Sequence, residues 1–364
     1  MEKRFEKAQK LLEKHNAGCL LISDSVSARY FSGFSSSNIA LLYSAKEKFL
    51  LTDFRYKIEA ENFCKTNGWN FIEAKQSEFA EKMAMIASVM ITGNKILFQD
   101  NYLSVAEFEN YRKKLVNTQF LPAGKEIEEI FYEKSEEEIN LIKKAAGIAD
   151  VSFAQWLEKL ESGMAEFEAA RALDIICLQN GSEKAAFDTI VLFGENSALP
   201  HGVPGRERKL KNGDFVLCDF GCVADGLRSD MTRTISFGEP SHAHKKIYEI
   251  VLQAQIIGVE SVKAGEKASD IDKKVRDFIK NAGYGGYFGH GTGHSVGLRI
   301  HESPAISSKT ETILQAGMVI TIEPGIYLPD NVGVRIEDMV VVGEKSCEII
   351  TKTDKNFLDV LRRR

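Results

Sequence analysis

Residues 215–234 read FVLCDFGCVADGLRSDMTRT, two β-rich runs on either side of Asp225-Gly226. An Asp-Gly pair suits a two-residue type I′ turn, whose twist matches that of the antiparallel strands it joins. A turn centred there makes the numbers of opposed residues sum to 451, so Asp219 faces Thr232 and Asp230 faces Gly221. Alternate residues share a face of a sheet, which puts both carboxylates on one side, a diagonal step of about 7–8 Å apart. A bulge in either strand would move one of them to the other face.

A second hairpin repeats the device more tightly. Residues 319–337 read VITIEPGIYLPDNVGVRIE, and a loop centred on Asp330 makes opposed residues sum to 660. Glu323 then faces Glu337 directly. Like charges placed opposite each other repel, so the pair is unfavourable unless a cation neutralises it. The plainer alternative is two glutamates on a solvated sheet face. Between the hairpins lies GHGTGHSVGLRIHESP at 289–304. It has neither a following Lys-Ser or Lys-Thr nor a strand-to-helix GxGxxG fingerprint, so nucleotide binding is set aside. Asp219, Asp230, His294, Glu323 and Glu337 thus form an ordered set spread over 119 positions. Four carboxylates and one imidazole suit a pair of hard divalent cations better than one zinc.

The rest of the chain frames this set. Its 364 residues, 44% apolar, are enough for two domains. The pattern is α/β over residues 1–122, with strands expected at Cys19–Ile22, Asn38–Tyr43, Phe49–Thr52, Asn70–Ala74 and Lys95–Gln99 and a helix at Ala80–Thr92. Leu121-Pro122-Ala123-Gly124 interrupts it, and 123–134 reads as an acidic linker. Ser135-x-x-Glu138 is a capping box opening a helix with Ile139, Ile142, Ala146 and Ala149 on one stripe. Helices near 135–160, 164–180, 241–263 and 268–282, grouped beside hairpins, make 135–364 an α+β domain.

Composition excludes several classes. A formal charge of −5 offers no electrostatic footprint for nucleic acid, although Arg362-Arg363-Arg364 is locally basic and reads as a solvated terminus. The first residues, MEKRFEK, are charged where a secretory signal would be apolar, and no run approaches the roughly 18 apolar residues of a membrane span. A soluble, cytoplasmic protein is expected on those grounds, and the six scattered cysteines are expected to be reduced thiols. Cys218 and Cys222 have poor zinc spacing and read as core. His242 and His244 read as a solvated helix end.

Several blocks together resemble a known family. FDTIVLFGENSALPHG at 187–202, DFG at 219–221, SDMTRT at 229–234, GTGHSVGLRIHE at 291–302 and TIEPGIY at 321–327 are similar to the metallopeptidases of the pita-bread fold, in the branch of aminopeptidase P and prolidase. Residues 29–34 and 52–56 also resemble that branch's N-terminal domain. The resemblance implies a C-terminal pita-bread catalytic domain behind a smaller N-terminal α/β domain. It implies two divalent metals, commonly manganese with cobalt or zinc as alternatives, bridged by Asp230 and Glu337. Asp219 would complete one site, and His294 with Glu323 the other.

It further implies hydrolysis of the bond before proline by a hydroxide held between the metals. His201 and His301 would bind substrate, Glu323 would relay the proton, and Arg335 would support the ligand network. A surface salt bridge is the plainer reading of Arg335. His290 could line the substrate site, and Arg55 could approach a partner subunit in a homodimer. The substrates implied are peptides with proline second. An Xaa-Pro aminopeptidase is preferred, with prolidase, restricted to dipeptides, as the alternative. A non-catalytic module on the same fold is the reading from a different class, and the five filled ligand positions argue against it.

Overall fold

In the computed structural model, Asp225 and Gly226 both take positive φ, 46° and 72°, as a type I′ turn requires. The strands on either side pair in the register the turn dictates: Leu227 with Ala224, Arg228 with Val223, and Thr232 with Asp219. The structure described here covers residues 2–90 and 94–355, without the side chains of 87–90. The Arg362–Arg364 tail and the expected helix end at Thr92 lie outside the described residues. The chain divides into two units, Met1–Phe131 and Tyr132–Arg364.

The first unit is a six-stranded sheet flanked by helices. Strands β1 (Cys19–Ile22), β2 (Ile39–Tyr43), β3 (Lys48–Thr52), β4 (Asn70–Glu73), β5 (Lys95–Phe98) and β6 (Gln119–Pro122) lie in the order β4-β3-β2-β1-β5-β6. Its helices are α1 (Glu2–His15), α2 (Ser25–Ser32), α3 (Lys57–Asn67), α4 (Phe79–Met90), α5 (Val105–Lys114) and α6 (Gly124–Glu129). Pro122 ends β6 at the sheet edge, where a missing N–H costs nothing. The stretch expected as a linker at 123–134 instead carries α6, whose Ile127 is fully buried. One apolar side in six residues is too short a period to read as a helix.

The second unit wraps helices around two groups of antiparallel strands. Helices α7 (Glu136–Leu157) and α8 (Glu166–Gln179) precede β7 (Ile190–Phe193), β8 (Asp214–Phe220), β9 (Val223–Ala224), β10 (Leu227–Arg228) and β11 (Met231–Phe237). Ser135 caps α7 through the Glu138 N–H, and Glu138 caps back. Phe153 and Trp156 of α7 and Leu173 of α8 pack on Val216, Cys218 and Phe220 of β8. Cys218 and Cys222 are core, fully buried. The alternation that buries the even residues of β8 turns Asp219 to the opposite face.

Helices α9 (His242–Glu260) and α10 (Ala268–Asn281) are followed by β12 (Gly293–Ser295), β13 (Glu302–Ile306), β14 (Val319–Ile322), β15 (Gly325–Leu328), β16 (Val332–Arg335), β17 (Asp338–Val342) and β18 (Cys347–Ile349). Val251 of α9 and Val275 of α10 pack with Phe215, Ile326, Val334 and Ile336. Full burial of each such side chain contributes about 1.5–3 kcal/mol. His244 is not simply solvated: its ring lies against Phe215, centroids 5.3 Å apart, and Nε2 bonds Asn331 Oδ1 at 3.1 Å. Among the described residues, no helix is long and apolar enough to cross a membrane.

Candidate metal centre

The second hairpin keeps its register but is split in two. Gly325 pairs with Arg335 in one sheet and Ile322 with Asp338 in another, and both pairs sum to 660. Glu323-Pro324 and Ile336-Glu337 occupy the break, where one ladder stops and the next begins. Pro324 has no N–H to continue the ladder. The two glutamates are therefore opposed, as the loop at Asp330 dictates, but at a point where their side chains leave the sheet.

His294 reaches the same place from β12. Its approach requires Gly293, because a Cβ there would stand 1.9 Å from the Thr321 carbonyl oxygen. The Ser295 carbonyl accepts from His294 Nδ1 at 3.1 Å, which leaves the Nε2 lone pair directed inward. Nε2 lies 3.5 Å from both Asp230 Oδ2 and Glu323 Oε1. That is beyond a hydrogen bond and suits donors that share an ion. One donor atom each from Asp230, His294 and Glu337 fall within 4.8 Å of one another.

Asp219 and Glu337 are tied together from behind by Arg335. Its Nη2 donates to Asp219 Oδ2 at 2.5 Å, and its Nε donates to Thr232 Oγ1 at 3.0 Å. Thr232 Oγ1 in turn donates to Glu337 Oε2 at 2.8 Å. Arg335 is buried, so this is no surface salt bridge. Thr232, which the sequence reading placed opposite Asp219 without giving it a role, is the link. Arg335 Nη1 also donates to the Tyr327 hydroxyl at 2.9 Å, and that hydroxyl meets His290 Nε2 at 2.9 Å. Tyr327 went unremarked in sequence although it closes the TIEPGIY block.

Asp219 and Glu337 each have one oxygen held by protein and one left over. Asp219 Oδ1 and Glu337 Oε1 are buried with no hydrogen-bond partner among the described residues, a cost of about 1–3 kcal/mol each if nothing else meets them. Burial first, then the charges of Glu337, Asp219 and Glu323, pushes the Asp230 carboxyl well above its usual range. Glu337 is raised likewise by burial and by Glu323 and Asp219, and Glu323 is lifted to about 8, mainly by burial. Burial lowers His294 to about 4, so its imidazole is neutral at pH 7 and available as a ligand. The protein alone thus disfavours the charges that its own sequence crowds together. Divalent cations reverse that preference, and the residues present fit them.

A groove of about 800 Å³ opens on this cluster. His201, His290 and His301 line it, and the His301 ring stands edge-on to His294 with centroids 4.5 Å apart. Arg55 belongs to the first unit, where it pairs with Asp53 at 2.8 Å and its side chain is largely exposed.

A pocket that concentrates this much acid at its floor fits the class of metalloenzymes. Comparison with known proteins narrows the class. Residues 140–344 match the model of metallopeptidase family M24, and residues 4–130 match the Creatinase/Prolidase N-terminal domain. An Xaa-Pro dipeptidase of Pyrococcus furiosus is 37% identical over 98% of this chain and 100% of its own length. Among solved structures, an Xaa-Pro dipeptidase from Bacillus anthracis superposes with a TM-score of 0.90 at 36% identity, covering 98% of this chain and 99% of that one. An X-Pro aminopeptidase from Thermotoga maritima gives 0.86 at 33%, covering 97% and 99%. The chain belongs to metallopeptidase family M24. It is a pita-bread enzyme with a creatinase-type N-terminal domain, and the family brings dinuclear divalent-metal use with it.

Proposed function

We infer that this enzyme is an Xaa-Pro dipeptidase dependent on two divalent cations, manganese by preference. The order differs from the sequence reading, in which the aminopeptidase stood first. Support comes from the two relatives named as dipeptidases, each similar over nearly its whole length. The observation that carries the chemistry is that donor atoms of Asp230, His294 and Glu337 lie within 4.8 Å of one another with Glu323 beside His294, while Asp219 Oδ1 and Glu337 Oε1 are buried without a hydrogen-bond partner among the described residues.

Asp219, Asp230, His294, Glu323 and Glu337 would hold the cations. Bound there, divalent cations supply Lewis acidity towards a carbonyl and acidify water. His201 and His301 donate hydrogen bonds to the scissile carbonyl as negative charge develops on it. Glu323 takes a proton from water and returns it to the leaving proline nitrogen. Arg335 fixes Asp219 directly and Glu337 through Thr232. Tyr327 couples Arg335 to His290, which faces the substrate.

The dipeptidase and aminopeptidase readings part on substrate length. Turnover of an Xaa-Pro dipeptide and of an Xaa-Pro-Yaa tripeptide, measured with manganese, separates them. Clear preference for the dipeptide supports the reading, and equal or faster cleavage of the tripeptide returns the enzyme to the aminopeptidase class.

A further inference from the structure

Two guanidiniums line the groove, Arg335 and Arg171. Arg335 is committed to Thr232, Tyr327, the Pro200 carbonyl and Asp219. Arg171, on α8, has a half-exposed side chain and an ion pair to Asp174 Oδ2 at 2.8 Å. Asp174 is itself fixed, because its other oxygen accepts from Thr189 Oγ1 at 2.5 Å. Thr189 immediately precedes Ile190, which pairs with Asp219 across the β7–β8 ladder. These short steps tie Arg171 to the strand that carries a proposed metal ligand.

A second guanidinium stands beside it. Arg206 lies 3.9 Å from the centroid of the Phe167 ring, and Arg171 lies 5.7 Å from the same ring, which itself lines the groove. Arg206 is exposed and has no carboxylate partner among the described residues. The groove therefore has acids at its floor and two guanidiniums around Phe167, of which Arg171 is paired with Asp174, and Asp188 also lines it. A dipeptide has matching polarity, with a free amine at one end and a free carboxylate at the other. A longer peptide presents a neutral carbonyl in place of that carboxylate.

We propose that Arg171, with Arg206 across Phe167, forms the subsite that binds the free C-terminal carboxylate of the substrate. This rests on the Xaa-Pro dipeptidase reading. The planar fork of a guanidinium matches a carboxylate in two parallel hydrogen bonds, which a lysine cannot reproduce. Asp174 and Thr189 position the fork. The subsite makes chain length a matter of charge recognition.

The test compares an Xaa-Pro dipeptide with its C-terminal amide, for the wild type, Arg171→Gln and Arg171→Lys, each checked for fold by its thermal transition. The wild type should favour the acid, and Arg171→Gln should reduce the acid-to-amide ratio of kcat/KM by about tenfold or more, chiefly through KM of the acid. Arg171→Lys should recover only part of that ratio. Competitive inhibition by free proline should weaken in step, whereas inhibition by prolinamide should not. A wild type that prefers the acid and an Arg171→Gln enzyme that keeps the full ratio overturn the proposal and leave the dipeptidase reading intact. A wild type indifferent to the acid, cleaving tripeptides equally well, overturns the dipeptidase reading and the subsite with it.

Discussion

Arg335 Nη2 holds one oxygen of Asp219 at 2.5 Å, while the other oxygen of Asp219 is buried with no hydrogen-bond partner among the described residues. Half of the carboxylate is oriented by the fold, and the other half is free to meet the cation proposed above. An arginine meets this need better than a lysine, because three separate nitrogens reach Asp219, Thr232 and Tyr327 at once. Arg335→Lys should weaken metal affinity by about 10–100-fold, in line with other residues that orient metal ligands. Calorimetric titration with manganese measures it, and unchanged affinity would show that Asp219 does not need the guanidinium.

Gly293→Ala should damage the site without touching any polar group. The added Cβ collides with the Thr321 carbonyl, which cannot move without parting β12 from β14 and displacing His294. Overpacking of this kind costs about 1–3 kcal/mol or more. A lower thermal midpoint and weaker metal binding should appear together. Loss of stability with intact metal binding would mean that His294 is placed independently of β12.

The loop that presents His201 is clamped by one buried acid. Glu166 accepts from the Phe193 and Gly205 N–H groups, at 2.8 Å and 3.0 Å, and from Asn196 Nδ2 at 3.0 Å. Glu166→Ala strands these donors and should lower stability by about 2–4 kcal/mol. Urea unfolding and limited proteolysis between residues 194 and 205 read the effect, and a loop that stays protected would contradict the clamp.

Metal-free protein and metal-loaded protein should respond to pH in opposite directions. Asp230, Glu337 and Glu323 have folded-state pKa values above their unfolded ones, so the folded chain keeps protons that the unfolded chain has lost. Stability of the metal-free protein then falls as pH rises from about 6.5 to 9, a window above the depressed titrations of His290 and His294. Cations bind only the deprotonated acids, so with metal present stability should hold or rise over the same range. Parallel pH curves with and without manganese would rule out this linkage.

Much of the site was legible because hairpin registers are arithmetic. A dipeptide at 225–226 and a loop at 330 fixed which side chains oppose which, and both sums hold across the structure. The split at Glu323-Pro324 was not legible, since a register says who is opposite and not whether the ladder is intact. Thr232 and Tyr327 were hidden for a different reason: their roles lie in contacts with Arg335 from another strand. In the first unit, α2, α5 and β6 gave too little periodicity in eight, ten and four residues to announce themselves. Helix α6 hid inside an acidic run because one buried isoleucine carries its packing.

Asp219, Asp230, His294, Glu323 and Glu337 are proposed to hold the cations required to cut the bond before proline. This is tested most directly by the turnover of an Xaa-Pro dipeptide after exhaustive chelation and again after manganese is restored, with bound metal counted per chain. About two ions per chain are expected, with loss of turnover on chelation and its return with manganese. Undiminished hydrolysis by metal-free protein, or no hydrolysis with both sites filled, would contradict it.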